Sequence, residues 1–232
     1  MNIILASTST IYGSGYLEYL EDEIIELYKN VDEIIFIPYA RPGGISHDEY
    51  TLKAKSFFEK ININVKGLHS FDSPIEAIQN AQGFFTGGGN TFVLVKQLHE
   101  NNLMNILREE ILKGKPYLGS SAGSNIGGIN MQTTNDMPIV YPSSFETMNL
   151  VPFNLNPHFI DADTQSRHMG ETRQTRIKEF LAFNSIPVIG LREGSWIKVL
   201  DKKIFLKGNL SAMIFEKDKA PYELESEKEI LL

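Results

Sequence analysis

The sequence predicts an α/β fold built around a parallel β-sheet, and two observations carry that prediction. Short apolar runs alternate with longer amphipathic segments through the first two thirds of the 232 residues, which is the pattern of β-α-β units. The runs are apolar without alternation, as is typical of strands that are covered on both faces. Hydrophobic residues make up 42% of the chain, and no repeat or linker divides it. We therefore expect one catalytic domain over residues 1–232.

Five apolar runs are expected to form the parallel strands, at residues 3–6, 34–38, 63–68, 83–86 and 117–119. Amphipathic segments at 15–29 and 47–60 place apolar side chains on one helical face and predict crossover helices. Ser73 followed by Pro74 predicts a third helix, because serine caps a helix start and proline is tolerated in the first turn. A fourth helix is expected from Thr91 to His99.

The pattern changes after about residue 130. Residues 131–164 form a polar, proline-containing stretch that is long for an ordinary loop, and long loops often carry function. Residues 170–183 then predict a helix. Four further runs are expected to be strands, the last three in an antiparallel meander: 187–191, 195–200, 203–206 and 212–215.

Charge and composition exclude several classes of protein. A net charge of −7 leaves no basic excess for binding nucleic acid or an anionic membrane surface. The lack of cysteine excludes disulfides, thiolate metal sites and a cysteine nucleophile, so any nucleophile must be an oxygen. The first residues do not match a secretory signal, and no apolar run reaches the roughly 20 residues that span a bilayer. We expect a cytoplasmic protein.

The strongest local motif is the G-x-S-x-G sequence at residues 119–123, between an apolar strand and a helix start rich in small residues. A sharp turn there would project the hydroxyl of Ser121 beyond the sheet, and the N–H of Ala122 could receive a developing oxyanion. Ser120 and Ser124 lie nearby, and only the motif spacing selects Ser121. A glycine- and serine-rich turn that merely caps a helix would give the same pentapeptide.

Three consecutive glycines at residues 87–89 also follow a predicted strand and precede a helix. Glycine allows close backbone approach and leaves N–H groups free to face negative charge, so Gly88 and Gly89 are candidate oxyanion donors. Asn90, directly after them, is a candidate substrate-binding residue. A phosphate cradle is disfavoured because neither G-x-G-x-x-G nor Gly-Lys-Ser/Thr is present, while a purely structural turn is the alternative.

A serine nucleophile needs a general base, and the sequence offers five histidines: His47, His69, His99, His158 and His168. His158 is the candidate because it lies in the long polar segment, directly after Pro157. Two carboxylates could orient its ring, Asp136 and Glu193. Sequence spacing does not separate these two, and each could instead be a turn or capping residue.

Six motifs in order together resemble the peptidase E family of aspartyl dipeptidases. They are GGGNTF, GSSAGSN, TTNDMPIV, NPHF, GETRQTRI and EGSW, at residues 87–92, 119–125, 133–140, 156–159, 170–177 and 193–196. The resemblance implies a three-layer α-β-α fold similar to the class I glutamine amidotransferases, with serine at the elbow where those enzymes carry cysteine. Weaker similarity extends over nearly the whole chain.

By motif position, the resemblance implies that Ser121 is the nucleophile and His158 the base. The resemblance leaves both Asp136 and Glu193 as candidates for the acid; we favour Glu193 as the direct partner of the histidine and Asp136 as a supporting residue. The resemblance also implies a monomeric serine exopeptidase that removes N-terminal aspartate from small dipeptide substrates, with neither a metal nor an organic cofactor. A hydrolase of aspartyl polymers, of the cyanophycinase kind, and a non-catalytic protein that binds small acids are the alternatives.

The same resemblance implies a specificity site in the GETR motif. Arg173 matches the position that holds the side-chain carboxylate of the substrate, and a planar guanidinium can bind a carboxylate through two hydrogen bonds. Glu171 is placed to hold either that arginine or the free amine of the substrate. Without the resemblance, Arg173 would be interpreted as a solvent-facing helix residue.

Overall fold

Two β-sheets, of seven and four strands, organise the computed structural model, which describes residues 1–163, 165, 167 and 169–232. In chain order the strands are β1 (Asn2–Ala6), β2 (Glu33–Ile37), β3 (Asn64–Gly67), β4 (Phe84–Thr86), β5 (Tyr117–Ser120), β6 (Asn154–Pro157), β7 (Val188–Leu191), β8 (Ser195–Leu200), β9 (Lys203–Gly208), β10 (Ala212–Phe215) and β11 (Tyr222–Leu224).

The helices lie mainly between the strands of the first half of the chain. They are α1 (Glu21–Leu27), α2 (His47–Phe58), α3 (Pro74–Asn80), α4 (Thr91–Glu100), α5 (Leu103–Leu112), α6 (Ala122–Asn125) and α7 (Arg173–Phe183), with short 3-10 helices at Glu18–Leu20, Glu59–Ile61 and Leu68–Ser70. Within the described residues, no helix combines the length and the apolar character needed to cross a bilayer.

The larger sheet has the order β3-β2-β4-β5-β1-β8-β9, in which the first five strands of the chain run parallel. The predicted mostly parallel central sheet is therefore confirmed. Strands β8 and β9 are antiparallel and extend this sheet beyond β1. The smaller sheet has the order β11-β10-β7-β6, with β6 and β7 parallel and the other pairs antiparallel.

The expected C-terminal meander is divided between these two sheets. The β8–β9 hairpin stays on the larger sheet, whereas β10 pairs with β7 and β11 in the smaller one. The apolar alternation of a strand predicts its buried face, but it does not predict which strand lies beside it. The antiparallel strands are therefore present as expected, but in a different arrangement.

Apolar clusters on both faces of the larger sheet give the three-layer arrangement. One face packs against the first two helices through residues such as Ile24, Tyr50 and Ala54. The other face packs against α3 to α5 and also contacts the smaller sheet. Helix α7 covers the smaller sheet through a separate cluster that includes Ile177 and Leu181.

Three elements lay outside the sequence prediction. Helix α5 buries Leu103, Leu107 and Ile111 at helical spacing, a signal that the sequence contained. Strand β6 has the sequence NLNP and β11 has YEL, and neither carries enough apolar residues to predict a strand. Ser73 caps α3 through a hydrogen bond from the Glu76 amide, as expected.

Candidate active site

The candidate residues follow two pairs of neighbouring parallel strands. In the larger sheet, β4 leads into the three glycines and β5 leads into Ser121. In the smaller sheet, β6 leads into His158 and β7 leads towards Glu193. Parallel neighbours end at the same edge of a sheet, and the carboxyl edge is where open α/β sheets usually place their sites. The sheet pairing thus gathers residues that are far apart in the sequence.

Ser121 forms a strained turn between β5 and α6. Its φ of 54° and ψ of −110° lie outside the regions that non-glycine residues normally occupy, which costs of the order of 1–3 kcal/mol. A Cβ atom on Gly119 would lie 2.4 Å from the Gly123 carbonyl oxygen, and one on Gly123 would lie 2.2 Å from the Thr86 carbonyl oxygen. Only glycine at both positions lets the helix leave the strand at this angle.

The three nearby serines have different surroundings. Ser120 is fully buried, and the Ser124 hydroxyl donates to the Ala6 carbonyl at 2.6 Å. The Ser121 hydroxyl instead lies 2.9 Å from Nε2 of His158. Among the described residues, Ser121 is therefore the serine of this motif whose hydroxyl reaches a histidine.

His158 lies between Ser121 and Glu193. Its Nδ1 is 2.6 Å from Glu193 Oε1, and the two side chains are 38% and 53% exposed, so solvent reaches the pair. An ionised carboxylate can only accept a hydrogen bond, so Nδ1–H is the donor and Nε2 is left free to accept the Ser121 hydroxyl proton. The arrangement can deprotonate a serine.

Asp136 lies at the start of α4 and not against the histidine. Its Oδ2 accepts hydrogen bonds from the Thr91 amide at 2.7 Å and from the Thr134 hydroxyl at 2.9 Å. A carboxylate at a helix N-terminus is stabilised by the unpaired amides of the first turn. Asn125 of α6 donates to the same two threonines, which connects this cluster to the helix behind Ser121.

Ser7, which the sequence does not mark as a site residue, holds His158 in place. Its hydroxyl donates to the Leu191 carbonyl at 2.7 Å and accepts from the His158 amide at 2.9 Å. His158 has a φ of 54°, a strained value for a non-glycine residue. Ser7 directly follows β1, so one buried hydroxyl joins the larger sheet to the ends of β6 and β7. The sequence feature that could have identified Ser7 is its position as a polar residue directly after an apolar strand.

The candidate oxyanion donors are Gly88, Gly89 and Ala122, and two of them adjoin Ser121: Gly88 packs on it and Ala122 follows it in the chain. A Cβ atom on Gly88 would lie 3.0 Å from Ser121 Cβ, so the glycine loop packs directly on the serine. Gly89 has a φ of 147° and presses on the Ala40 carbonyl, which leaves no room for a side chain. The Ala122 amide is at the first position of α6, where no intrahelical acceptor exists.

Both polar atoms of the Asn90 side-chain amide form hydrogen bonds. Its Oδ1 accepts from the Val93 amide and caps α4, while its Nδ2 donates to the Met137 carbonyl at 2.9 Å. These hydrogen bonds give Asn90 a structural role, and its contact with substrate stays a prediction.

Arg173 lines an open cleft of about 510 Å³ at the start of α7, together with Glu171, Arg176 and Asn135. Burial lowers the pKa of Arg173, and the positive charge of Arg176 lowers it further, while Asp136 acts in the opposite direction. Arginine stays charged despite such shifts, and Asp161, Asp163 and Glu171 also line the cleft, so it presents groups of both charges to a ligand.

Asn135 connects this cleft to the catalytic histidine candidate. Its Nδ2 donates to the Pro157 carbonyl, directly before His158, and its Oδ1 accepts from Asn156, each at 2.7–2.8 Å. The cleft wall therefore contacts the backbone segment that carries His158. The sequence marks the neighbouring Asp136 as a candidate through its carboxylate, but it does not mark Asn135.

Three other histidines, His47, His69 and His99, lie away from Ser121. His69 pairs with Asp48 at 2.9 Å, His47 stacks beside it, and the His99 ring bonds to the Glu146 carbonyl. His168 lies outside the described residues. Within the described part of the chain, no three His, Asp or Glu side chains form a group suited to a metal ion.

Comparison with known proteins identifies a family. A family model described as Peptidase family S51 matches residues 3–207. A Drosophila melanogaster protein named "Probable alpha-aspartyl dipeptidase" is 44% identical over 226 residues, which cover 96% of this chain and 93% of that protein. A protein named Peptidase E from Streptomyces coelicolor is 42% identical over 224 residues, covering 97% of this chain and 91% of its own.

A solved structure supports the fold. The crystal structure of a peptidase from an acI-B1 Actinobacterium superimposes with a TM-score of 0.68 at 16% sequence identity, covering all of this chain and 96% of the other. The two proteins therefore share a fold.

Proposed function

This chain belongs to peptidase family S51, and on that premise we propose that it is a serine exopeptidase that releases N-terminal aspartate from dipeptides. The observation that carries the proposal is the continuous chain of hydrogen bonds from Ser121 through His158 to Glu193. The names of the Drosophila and Streptomyces relatives support the same activity.

The chemistry begins with attack of the Ser121 oxygen on the peptide carbonyl, while Nε2 of His158 takes the hydroxyl proton. Glu193 accepts the hydrogen bond from Nδ1 and stabilises the imidazolium that forms. The N–H groups of the glycine loop and of Ala122 receive the negative charge on the carbonyl oxygen. His158 then protonates the departing amine and activates a water molecule, which releases aspartate from the serine.

Arg173 accounts for the preference for aspartate. It contributes positive charge to the cleft that Asn135 joins to the base. A guanidinium can hold a side-chain carboxylate through two charge-assisted hydrogen bonds, whereas the neutral amide of asparagine can form fewer and weaker ones. Glu171 in the same cleft supplies negative charge for the substrate's ammonium group.

A substrate panel tests this activity directly. We expect Asp-Leu to be hydrolysed, Asn-Leu and Glu-Leu poorly, and N-acetyl-Asp-Leu not at all, because the blocked amine removes the positive charge of the N-terminus. Failure to cleave Asp-Leu, or cleavage of the blocked peptide at a similar kcat/KM, would overturn the proposal. Turnover of multi-arginyl polyaspartate in preference to Asp-Leu would instead indicate an enzyme for aspartyl polymers.

Arg173→Ala sharpens the specificity test. We expect the preference for Asp-Leu over Asn-Leu to fall by about 10²-fold, since each charge-assisted hydrogen bond contributes about 1.5–3 kcal/mol. Arg176→Ala is the matched comparison, because it removes the same charge from an exposed position one turn along α7. Equal losses in the two variants would mean that the general charge of the cleft, and not a contact with Arg173, selects aspartate.

A further inference from the structure

The glycine loop beside Ser121 is held by Tyr50, a residue of α2 outside the site described above. The Tyr50 hydroxyl donates a hydrogen bond to the Gly88 carbonyl at 3.0 Å. Tyr50 is 1% exposed, and its ring packs edge-to-face on Phe36 with the ring centroids 4.9 Å apart. The ring packing fixes the position of the hydroxyl.

The loop contacts Tyr50 and Ser121 at successive residues. A Cβ atom on Gly87 would lie 2.3 Å from the Tyr50 oxygen, and one on Gly88 would lie 3.0 Å from Ser121 Cβ. Side chains at either position would therefore push the loop away from one neighbour. The glycines let the loop lie against both.

The hydrogen bond determines which way the next amide points. Across a trans peptide, the carbonyl of one residue and the N–H of the next point in opposite directions. Because the Gly88 carbonyl is directed at Tyr50, the Gly89 N–H is directed away from Tyr50.

A peptide group between two glycines needs such a restraint, because neither residue has a Cβ that limits its rotation. Rotation by half a turn would exchange the Gly89 N–H for the Gly88 carbonyl, whose oxygen repels an oxyanion. It would also leave the Tyr50 hydroxyl buried without its acceptor, which is unfavourable. Burial raises the pKa of Tyr50, against smaller opposing effects from Arg41 and hydrogen bonds, so the hydroxyl stays protonated and remains a donor.

We propose that Tyr50 is a positioning residue, whose hydroxyl keeps the Gly88–Gly89 peptide in the orientation that lets the Gly89 N–H stabilise the oxyanion formed at Ser121. This inference rests on the proposed hydrolase function and adds a residue to it. Tyr50 acts through Gly88 and does not touch the substrate. Its loss should therefore weaken binding of the transition state more than binding of the substrate.

Tyr50→Phe tests the proposal, because it removes the hydroxyl and keeps the packed ring. We expect kcat on Asp-Leu to fall about 10- to 100-fold, less than the 10²–10³ for outright removal of one oxyanion donor, with KM changed by no more than about twofold. An aspartyl aldehyde, which forms a tetrahedral adduct with a serine nucleophile, should lose affinity by a similar factor. The affinity for free aspartate should stay the same.

Tyr28→Phe is the matched control. Tyr28 is also 1% exposed, and its hydroxyl donates to the Phe84 carbonyl at 2.6 Å, at the first residue of strand β4, whose other end leads into the glycine loop. A purely structural role for these hydroxyls predicts equal losses of stability and equal effects on kcat in the two variants. Wild-type kcat in Tyr50→Phe, or the same fall in kcat in both variants, would overturn the proposal.

Labelling by a small alkyl fluorophosphonate separates this inference from the proposed substrate. The serine oxygen displaces fluoride from phosphorus, so the reaction needs the nucleophile and the oxyanion donors but no aspartyl group. We expect Tyr50→Phe to be labelled at Ser121 about tenfold more slowly than the wild type and Tyr28→Phe. Equal labelling rates would overturn the positioning role even if Asp-Leu proved not to be a substrate. An unlabelled wild type would overturn both proposals.

Discussion

The proposed nucleophile, Ser121, and its proposed base, His158, follow strands of different sheets and are supported in different ways. Ser121 follows β5 of the seven-stranded sheet, where close backbone contacts at Gly119 and Gly123 shape the turn. His158 and Glu193 follow β6 and β7 of the four-stranded sheet, and side-chain hydrogen bonds hold them together. The nucleophile half of the site, around Ser121, depends on glycines that leave room for close backbone contacts. The base half, around His158 and Glu193, depends on particular polar side chains.

The difference matters because the two halves must meet within hydrogen-bonding distance. Apolar packing joins the two sheets, and Ser7 adds a direct polar link from the end of β1 to both the His158 amide and the Leu191 carbonyl. We therefore expect loss of the nucleophile to abolish the reaction, and substitutions in the base half to lower its rate by graded amounts. Three predictions test that contrast, beginning with the largest effect.

Ser121→Ala should lower kcat on Asp-Leu by at least about 10⁴-fold, since no other group can form the acyl intermediate. The fold should persist, because alanine differs from serine only by the hydroxyl, and circular dichroism and thermal unfolding measure this. Ser120→Ala is the matched control: its buried hydroxyl has no hydrogen-bond partner in the described part of the chain. Comparable activity of Ser121→Ala and Ser120→Ala would mean that the elbow does not supply the nucleophile.

The same contrast explains what the sequence could predict. The elbow and the glycine loop are contiguous motifs that follow apolar strands, so spacing alone marks both. The partner of His158 could not be assigned from the residues, because Asp136 and Glu193 could each be a turn or capping residue. The parallel pairing of β6 with β7 is what brings Glu193 to the histidine. Strand β6, which positions His158, has the sequence NLNP and is held by pairing with β7, a contact that its own composition does not encode.

Glu193→Gln and Asp136→Asn test the assignment within the base half. We expect Glu193→Gln to lower kcat by about 10²- to 10⁴-fold, because an amide cannot stabilise the imidazolium. Asp136→Asn should have a much smaller effect, since an asparagine oxygen can still accept from the Thr91 amide. Steady-state kinetics on Asp-Leu measure both. A larger loss of kcat in Asp136→Asn would indicate that Asp136, and not Glu193, is the carboxylate on which the reaction depends.

The smallest expected effect is a loss of stability. It concerns an ion pair that forms a second link between the segment carrying His158 and the segment carrying Glu193. Arg192, next to Glu193, forms two hydrogen bonds of 2.7 Å to Asp161, three residues after His158. The Arg192 side chain is 13% exposed and that of Asp161 is 56% exposed. Glu223 also contacts Arg192, at 3.0 Å. Because the Asp161 carboxylate is more than half exposed, solvent screens the pair, and the link contributes about 1 kcal/mol.

Asp161→Asn should therefore lower the free energy of unfolding slightly at neutral pH, as measured by urea titration. The hydrogen bonds from Arg192 hold the pKa of Asp161 below its ordinary value, so its carboxylate stabilises the folded state above the unfolded pKa of about 3.9. That contribution disappears as the pH falls through the lower folded pKa, and the stability difference between wild type and variant should close there. Asp163→Asn, an exposed acid in the same segment, should show no such difference. A difference that persisted in acid would mean that the substitution disturbs packing, and that the second link between the two segments is not electrostatic.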